Sequence, residues 1–123
     1  MTAAAAEPWP VEIRVLGAER ALEVEFDDGR TFRLPAEYLR VESPSAEVKG
    51  HGIEPRQIVP GKRRVGIAAV EPVGNYAIRI LFDDRHDTGI YSWRYLRELG
   101  ETQDAVWRRY LDALAAKGLS RDS

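Results

Sequence analysis

The run Phe26-Asp27-Asp28-Gly29 constrains this chain's fold more than any other short stretch. Apolar and polar residues alternate on both sides of it, with Leu22, Val24 and Phe26 before and Phe32 and Leu34 after. Alternation with period two reads as half-buried strand, and Asp-Gly between two such runs reads as a hairpin. Parity then sets the loop length. A two-residue loop at Asp28-Gly29 pairs Phe26 with Thr31 and puts Phe32 on the opposite face from Val24. A three-residue loop over Asp27-Asp28-Gly29 pairs Phe26 with Arg30, Val24 with Phe32 and Leu22 with Leu34. Only this odd loop gathers the five apolar side chains on one face, and it gives Gly29 the left-handed position such loops need.

The rest of the chain follows the same logic. Val11, Ile13 and Val15 alternate as a first strand, with a turn at Gly17 to Arg20. Pro35 to Arg40 predicts a short helix with proline in its first turn, ended by Ser43-Pro44. Residues Ser43 to Lys62 carry Pro44, Gly50, Gly52, Pro55, Pro60 and Gly61, a long connection of the kind that tends to be functional. Val65 to Val70 predicts a strand, Glu71 to Asn75 a turn, Tyr76 to Phe82 a strand, Asp83 to Thr88 a polar loop, and Gly89-Ile90-Tyr91 a return strand. Ser92 caps a helix running to a stop at Gly100. A last helix from Thr102 to Gly118 shows Val106, Tyr110 and Leu114 as its apolar stripe, with Trp107 and Leu111 beside them. Phe26-Asp27-Asp28 followed by Tyr38-Leu39-Arg40 is echoed by Phe82-Asp83-Asp84 followed by Tyr95-Leu96-Arg97, which suggests two similar units sharing one sheet. The expected class is α+β, a mostly antiparallel sheet with two or three helices packed on one face. Residues 1–10 read as a disordered segment, 11–118 as one domain and 119–123 as a polar tail.

Composition narrows function. There is no cysteine among the 123 residues, which excludes disulfides, thiolate metal sites and cysteine nucleophiles. A net charge of -2 argues against a general nucleic-acid binder, and no apolar run approaches a membrane span, so a cytoplasmic protein is expected.

Leu39-Arg40, Ser43-Pro44-Ser45-Ala46-Glu47-Val48, Gly50-His51-Gly52, Val73 to Ile78, Phe82-Asp83-Asp84 and His86 to Trp93 together resemble the gamma-butyrobetaine hydroxylase-like N-terminal domain family, in its stand-alone bacterial form. The resemblance covers roughly Pro10 to Gly100, with one departure, Arg85 where glycine is expected before His86. In the carnitine-synthesis oxygenases this domain carries a zinc held by three cysteines and a histidine. The resemblance places Ser43, Ser45 and Val48 at the cysteine positions and His86 at the histidine. Serine is a poor substitute for thiolate and valine cannot ligate, so the zinc is not carried over. The oxygenase activity is not carried over either, since it needs a facial triad of two histidines and a carboxylate on a separate domain. Similar domains occur with iron–sulfur carrier ATPases and quinone-synthesis genes, which implies an accessory role in metallocofactor or redox metabolism.

The residues best placed to bind something are Arg40, Ser43, Ser45, Glu47, His51, Asp83, Asp84, His86 and Asp87. His51, His86 and Asp84 form a candidate iron or zinc set; the plainer reading has each imidazole fix its own loop by hydrogen bonding to a backbone carbonyl. Asp83, Asp84 and Asp87 read as an acidic turn before a catalytic pair, and Ser43 and Ser45 as turn residues before nucleophiles. Arg56, Lys62, Arg63 and Arg64 read as a solvated basic loop, and Trp93, Tyr95 and Trp107 as packing residues. The expected function is a non-catalytic binding or adaptor module, with no cofactor and a protein partner. The alternative is a metal-binding protein using His51 and His86 with nearby carboxylates.

Overall fold

The computed structural model describes residues 8–44 and 58–122. The chain forms two antiparallel three-stranded meanders, each followed by a helix, and a final longer helix. Strands β1 (Pro10–Leu16), β2 (Ala21–Phe26) and β3 (Thr31–Pro35) lead into helix α1 (Ala36–Val41). Strands β4 (Ile67–Val73), β5 (Ala77–Phe82) and β6 (Gly89–Ser92) lead into α2 (Trp93–Glu101), and α3 spans Gln103–Ala116. The class is α+β. The strands do not share one sheet as the echo suggested; each unit keeps its own, in the order β1-β2-β3 and β4-β5-β6. What the units share is the core. Leu22, Val24, Phe26 and Leu34 from one sheet pack in a single cluster with Ile78, Ile80, Phe82 and Tyr91 from the other.

The first hairpin has the register that parity demands. Leu22 lies opposite Leu34 and Val24 opposite Phe32, while the Phe26 N–H donates to the Arg30 carbonyl and Gly29 takes a φ of 90°. The second hairpin repeats it. The Phe82 N–H donates to the His86 carbonyl, and Arg85 stands at a φ of 75°. The outer strands repeat too, each with a register shift opposite the phenylalanine, at Pro10/Glu12 and at Ile67/Ala69.

Three boundaries differ from the sequence reading. Glu71 to Val73 belong to β4, not to a turn; Pro72 is tolerated because β4 is an edge strand. Residues Val65 and Gly66 precede that strand. Gly100 does not stop α2, which runs on to Glu101. Its absent side chain serves packing instead, since a Cβ there would lie 2.5 Å from the Phe32 ring. Gly118 does end α3: at a φ of 67° it allows the Leu119 N–H to reach the Leu114 carbonyl and its own N–H the Ala115 carbonyl, a Schellman closure. Leu111, expected near the apolar stripe, is exposed, while Tyr110 and Leu114 are buried.

Both ends of the described chain are tied in. The Trp9 carbonyl accepts from the Asp27 N–H, so residues 8–10 join the fold. Arg121 in the polar tail grips the buried Glu37 of α1 with Nε at 2.8 Å and Nη2 at 2.6 Å, and its guanidinium lies over Trp107. Residues 1–7, including most of the expected disordered segment, lie outside the described residues.

The Gly100–Phe32 contact yields a clear expectation. Gly100→Ala forces the Phe32 ring aside and lowers stability by about 1–3 kcal/mol despite alanine's better helix propensity. Thermal unfolding of the variant checks it; an unchanged or higher Tm contradicts the contact.

Candidate functional site

The turn between β5 and β6, the C-terminal end of α1 and Lys62 before β4 bring five polar side chains together: Arg40, Ser43, Lys62, Asp84 and His86. The phenylalanine closing β5 starts the turn, and the Asp83 N–H donates to the Gly66 carbonyl while its Oδ1 accepts from the Gly66 N–H at 2.9 Å. Asp83 is therefore a brace of the fold. Asp84 Oδ1 accepts from the His86 N–H at 3.1 Å, a short Asx-type closure that holds the left-handed Arg85 between them. Asp84 Oδ2 accepts from Arg40 Nε at 2.9 Å and from Lys62 Nζ at 2.6 Å. His86 Nε2 and Ser43 Oγ share a hydrogen bond at 2.9 Å. The imidazole leans on Phe82, with ring centroids 6.1 Å apart.

Gly89 makes this arrangement possible. A Cβ at that position would lie 2.3 Å from Ser43 Oγ, so only glycine leaves room for the hydroxyl. The backbone of α1 is pinned to the same corner: the Tyr91 hydroxyl donates to the Leu39 carbonyl and the Tyr95 hydroxyl to the Glu42 carbonyl.

The electrostatics follow from this packing. Burial on its own would push the Asp84 carboxyl up; the hydrogen bonds from Lys62, the His86 N–H and Arg40 outweigh it and hold the group at about 2. His86 lies below its ordinary value of 6.5, first because burial disfavours the cation and then because Arg40 repels it, against the opposing fields of Asp84 and Asp87. The imidazole is thus neutral near pH 7.

Of the sequence-predicted residues, Arg40, Ser43, Asp84 and His86 meet here. Asp87 is exposed on the flank, where its field reaches His86. Ser45, Glu47, Val48, His51 and Arg56 lie outside the described residues. Two members went unrecognised as such in the sequence. Lys62 read as part of a basic loop, but it bonds Asp84, while its neighbour Arg63 pairs separately with Asp122. Gly89 read as an ordinary strand residue; nothing local in the sequence marks it. Trp93, Tyr95 and Trp107 are packing residues as expected, with Tyr95 stacked on Tyr91 and Trp107 set against Tyr38 and Tyr110.

Two chemistries fit this geometry poorly. A Ser-His pair acting on an acyl group needs a carboxylate on the other ring nitrogen, and among the described residues none bonds it; Ser43 is also buried. The family zinc does not fit either. Two donors sharing a tetrahedral zinc stand roughly 3.3 Å or more apart, whereas Ser43 Oγ and His86 Nε2 bond directly at 2.9 Å. Among the described residues no group of three or more His, Cys, Asp or Glu side chains is placed to hold a metal.

Known proteins similar to this chain share its fold. The family model for gamma-butyrobetaine hydroxylase-like N-terminal domains matches residues 13–97. Two proteins solved by NMR are similar: one is 43% identical with a TM-score of 0.83, covering 95% of this chain and 92% of its own. The other is 45% identical with a TM-score of 0.82, covering 98% and 90%. A crystal structure from Acidithiobacillus ferrooxidans, described as a protein with unknown function of the DUF971 family, is 45% identical with a TM-score of 0.66, covering 77% of this chain and 98% of its own. No curated protein sequence matches this chain significantly.

Two outcomes follow from the turn. Arg85→Gly relieves a side chain held at positive φ and raises stability by up to about 1 kcal/mol, measured by denaturant unfolding. An NMR titration of the His86 ring gives a midpoint below 6.5. The sign on stability is the same for both groups. The His86 contribution is full above 6.5 and is lost as pH falls through that value; the Asp84 contribution is full above 3.8 and is lost as pH falls toward about 2. For the partly solvated Asp84 it is on the order of 1 kcal/mol. In Lys62→Gln the acid loss is smaller and ends at a higher pH, because the folded carboxyl is held less far below 3.8.

Proposed function

The chain belongs to the gamma-butyrobetaine hydroxylase-like N-terminal domain family, and on that premise we propose that it is a non-catalytic binding module. Its working surface is the His86 turn together with the end of α1 at Ser43 and the segment that follows. Its occupant is a partner protein, in an accessory role in iron–sulfur or redox metabolism, and it works in the cytoplasm. One observation carries the reading. The Ser43–His86 hydrogen bond joins the end of α1, where the long connection begins, to a turn braced on Asp84. Polar groups held this rigidly present a fixed pattern without supplying a nucleophile, base and orienting carboxylate in series. No helix among the described residues is long and apolar enough to cross a membrane.

The alternative, a metal protein using His51 and His86, is separable by experiment. Protein purified without chelator or affinity histidines, from its native host, is assayed for metal and used as bait in parallel with His86→Ala and with a variant in which residues 43–52 are scrambled. The expected result is sub-stoichiometric iron and zinc, and partner capture by the wild type that both variants lose. Stoichiometric metal that disappears in His86→Ala replaces the binding-module reading with the metal one. Capture indifferent to both changes places the working surface elsewhere.

A further inference from the structure

The two turns of this fold are counterparts, and the way they differ says what the His86 turn takes. This inference rests on the binding-surface reading above and names the chemical group bound there. Phe26, Asp27, Asp28, Gly29 and Arg30 correspond to Phe82, Asp83, Asp84, Arg85 and His86. Both second-position aspartates accept from the N–H two residues on, at 3.2 Å in Asp28 and 3.1 Å in Asp84. After one inserted residue, Phe32, Tyr38, Arg40, Ser43 and Pro44 correspond to Gly89, Tyr95, Arg97, Gly100 and Glu101. The helices are exchanged between turns. Arg97 of α2 bonds Asp28, and Arg40 of α1 bonds Asp84.

In the first turn every position of the guanidinium is used. Arg97 holds Asp28 with Nη1 at 3.1 Å and Nη2 at 2.7 Å, and holds Glu101 with Nε at 2.6 Å. Glu101 also faces Arg30 at 3.5 Å, so one carboxylate bridges the helix arginine and the last residue of the turn. Phe26 and Phe32 lie under the Arg97 guanidinium.

In the second turn the donors are kept, and among the described residues no carboxylate stands at the counterpart of Glu101. Pro44 stands in place of Glu101, Gly89 in place of Phe32, and His86 in place of Arg30. Arg40 meets Asp84 with Nε alone, Lys62 takes the same oxygen, and among the described residues Nη1 and Nη2 of Arg40 have no hydrogen-bond partner. We propose that a carboxylate from outside the domain takes the Nη1 and Nη2 positions that Asp84 leaves open on Arg40, held two-pronged there and hydrogen-bonded by His86.

A planar carboxylate matches the guanidinium fork. A phosphate dianion matches it less well here, because Asp84 and the flanking Asp87 offset the charge of Arg40 and Lys62. The carboxylate comes either from an acidic side chain or C-terminus of a partner protein, or from a small free acid.

The test is an amide and imidazole NMR titration of the full chain with acetate, succinate, an Asp/Glu-rich peptide and inorganic phosphate. The expected result is saturable shifts at Ser43, His86 and Gly89 with carboxylates, weakened about ten-fold or more in Arg40→Lys. Peptide binding well above succinate assigns the source to a protein; equal binding assigns it to a small acid. Pro44→Glu, which restores the counterpart of Glu101, abolishes the shifts while leaving the fold intact, and serves if Arg40→Lys does not fold. No saturable shift, phosphate binding as tightly as carboxylate, shifts that persist in Pro44→Glu, or binding seen only after Glu47→Gln each overturn the proposal. If carboxylates fail while partner capture still depends on His86, the binding-module reading stands and this one falls.

Discussion

Each meander's helix places its arginine on the aspartate of the other meander's turn, and the rest of the structure is arranged around that exchange. Arg40 reaches Asp84 and Arg97 reaches Asp28. Two tyrosines repeat the pattern: the Tyr38 hydroxyl donates to the Leu99 carbonyl and the Tyr95 hydroxyl to the Glu42 carbonyl. These bonds satisfy carbonyls at the two helix ends, which would otherwise be left without intrahelical partners. They also explain why two separate three-stranded sheets make one core. Neither sheet has a partner layer of its own, so each supplies half of the apolar cluster and the exchanged helices close it.

Against this frame the two turns have parted ways. The first is saturated, with an arginine stacked over two phenylalanines and engaged by two carboxylates. The second keeps the aspartate and the arginine but exchanges the aromatic for glycine and the last turn residue for histidine. The backbone is preserved even at Arg85, where a non-glycine residue accepts a left-handed conformation because hydrogen bonds on both sides fix the turn. The two turns, built on the same plan, therefore differ among the described residues in which groups have hydrogen-bond partners.

Much of the scaffold was legible in the sequence because its determinants are local. Parity fixed the first hairpin, Ser92 announced the start of α2, and Gly118 the end of α3. Pro72 misled because proline signals a turn unless the strand is known to lie at an edge, and that is a property of the sheet. Gly100 misled in the same way: its reason lies across the fold at Phe32. Of the site, Arg40, Ser43, Asp84 and His86 were legible, through motif resemblance and residue type. Lys62 and Gly89 were not, since their roles depend on the exchange of helices, and the sequence echo reveals two copies without revealing which helix serves which turn. The grip of Arg121 on Glu37 is likewise a long-range pairing that no local pattern encodes.

The exchange also dictates when the molecule can become itself during synthesis. The closing bonds join residues 44, 61 and 69 positions apart in the chain. While the ribosome has delivered only the first meander and its helix, Asp28 has no arginine and the apolar face of the first sheet has nothing to cover it. That half waits, solvent-exposed, until α2 emerges. Contacts of such long span slow the search for the native state.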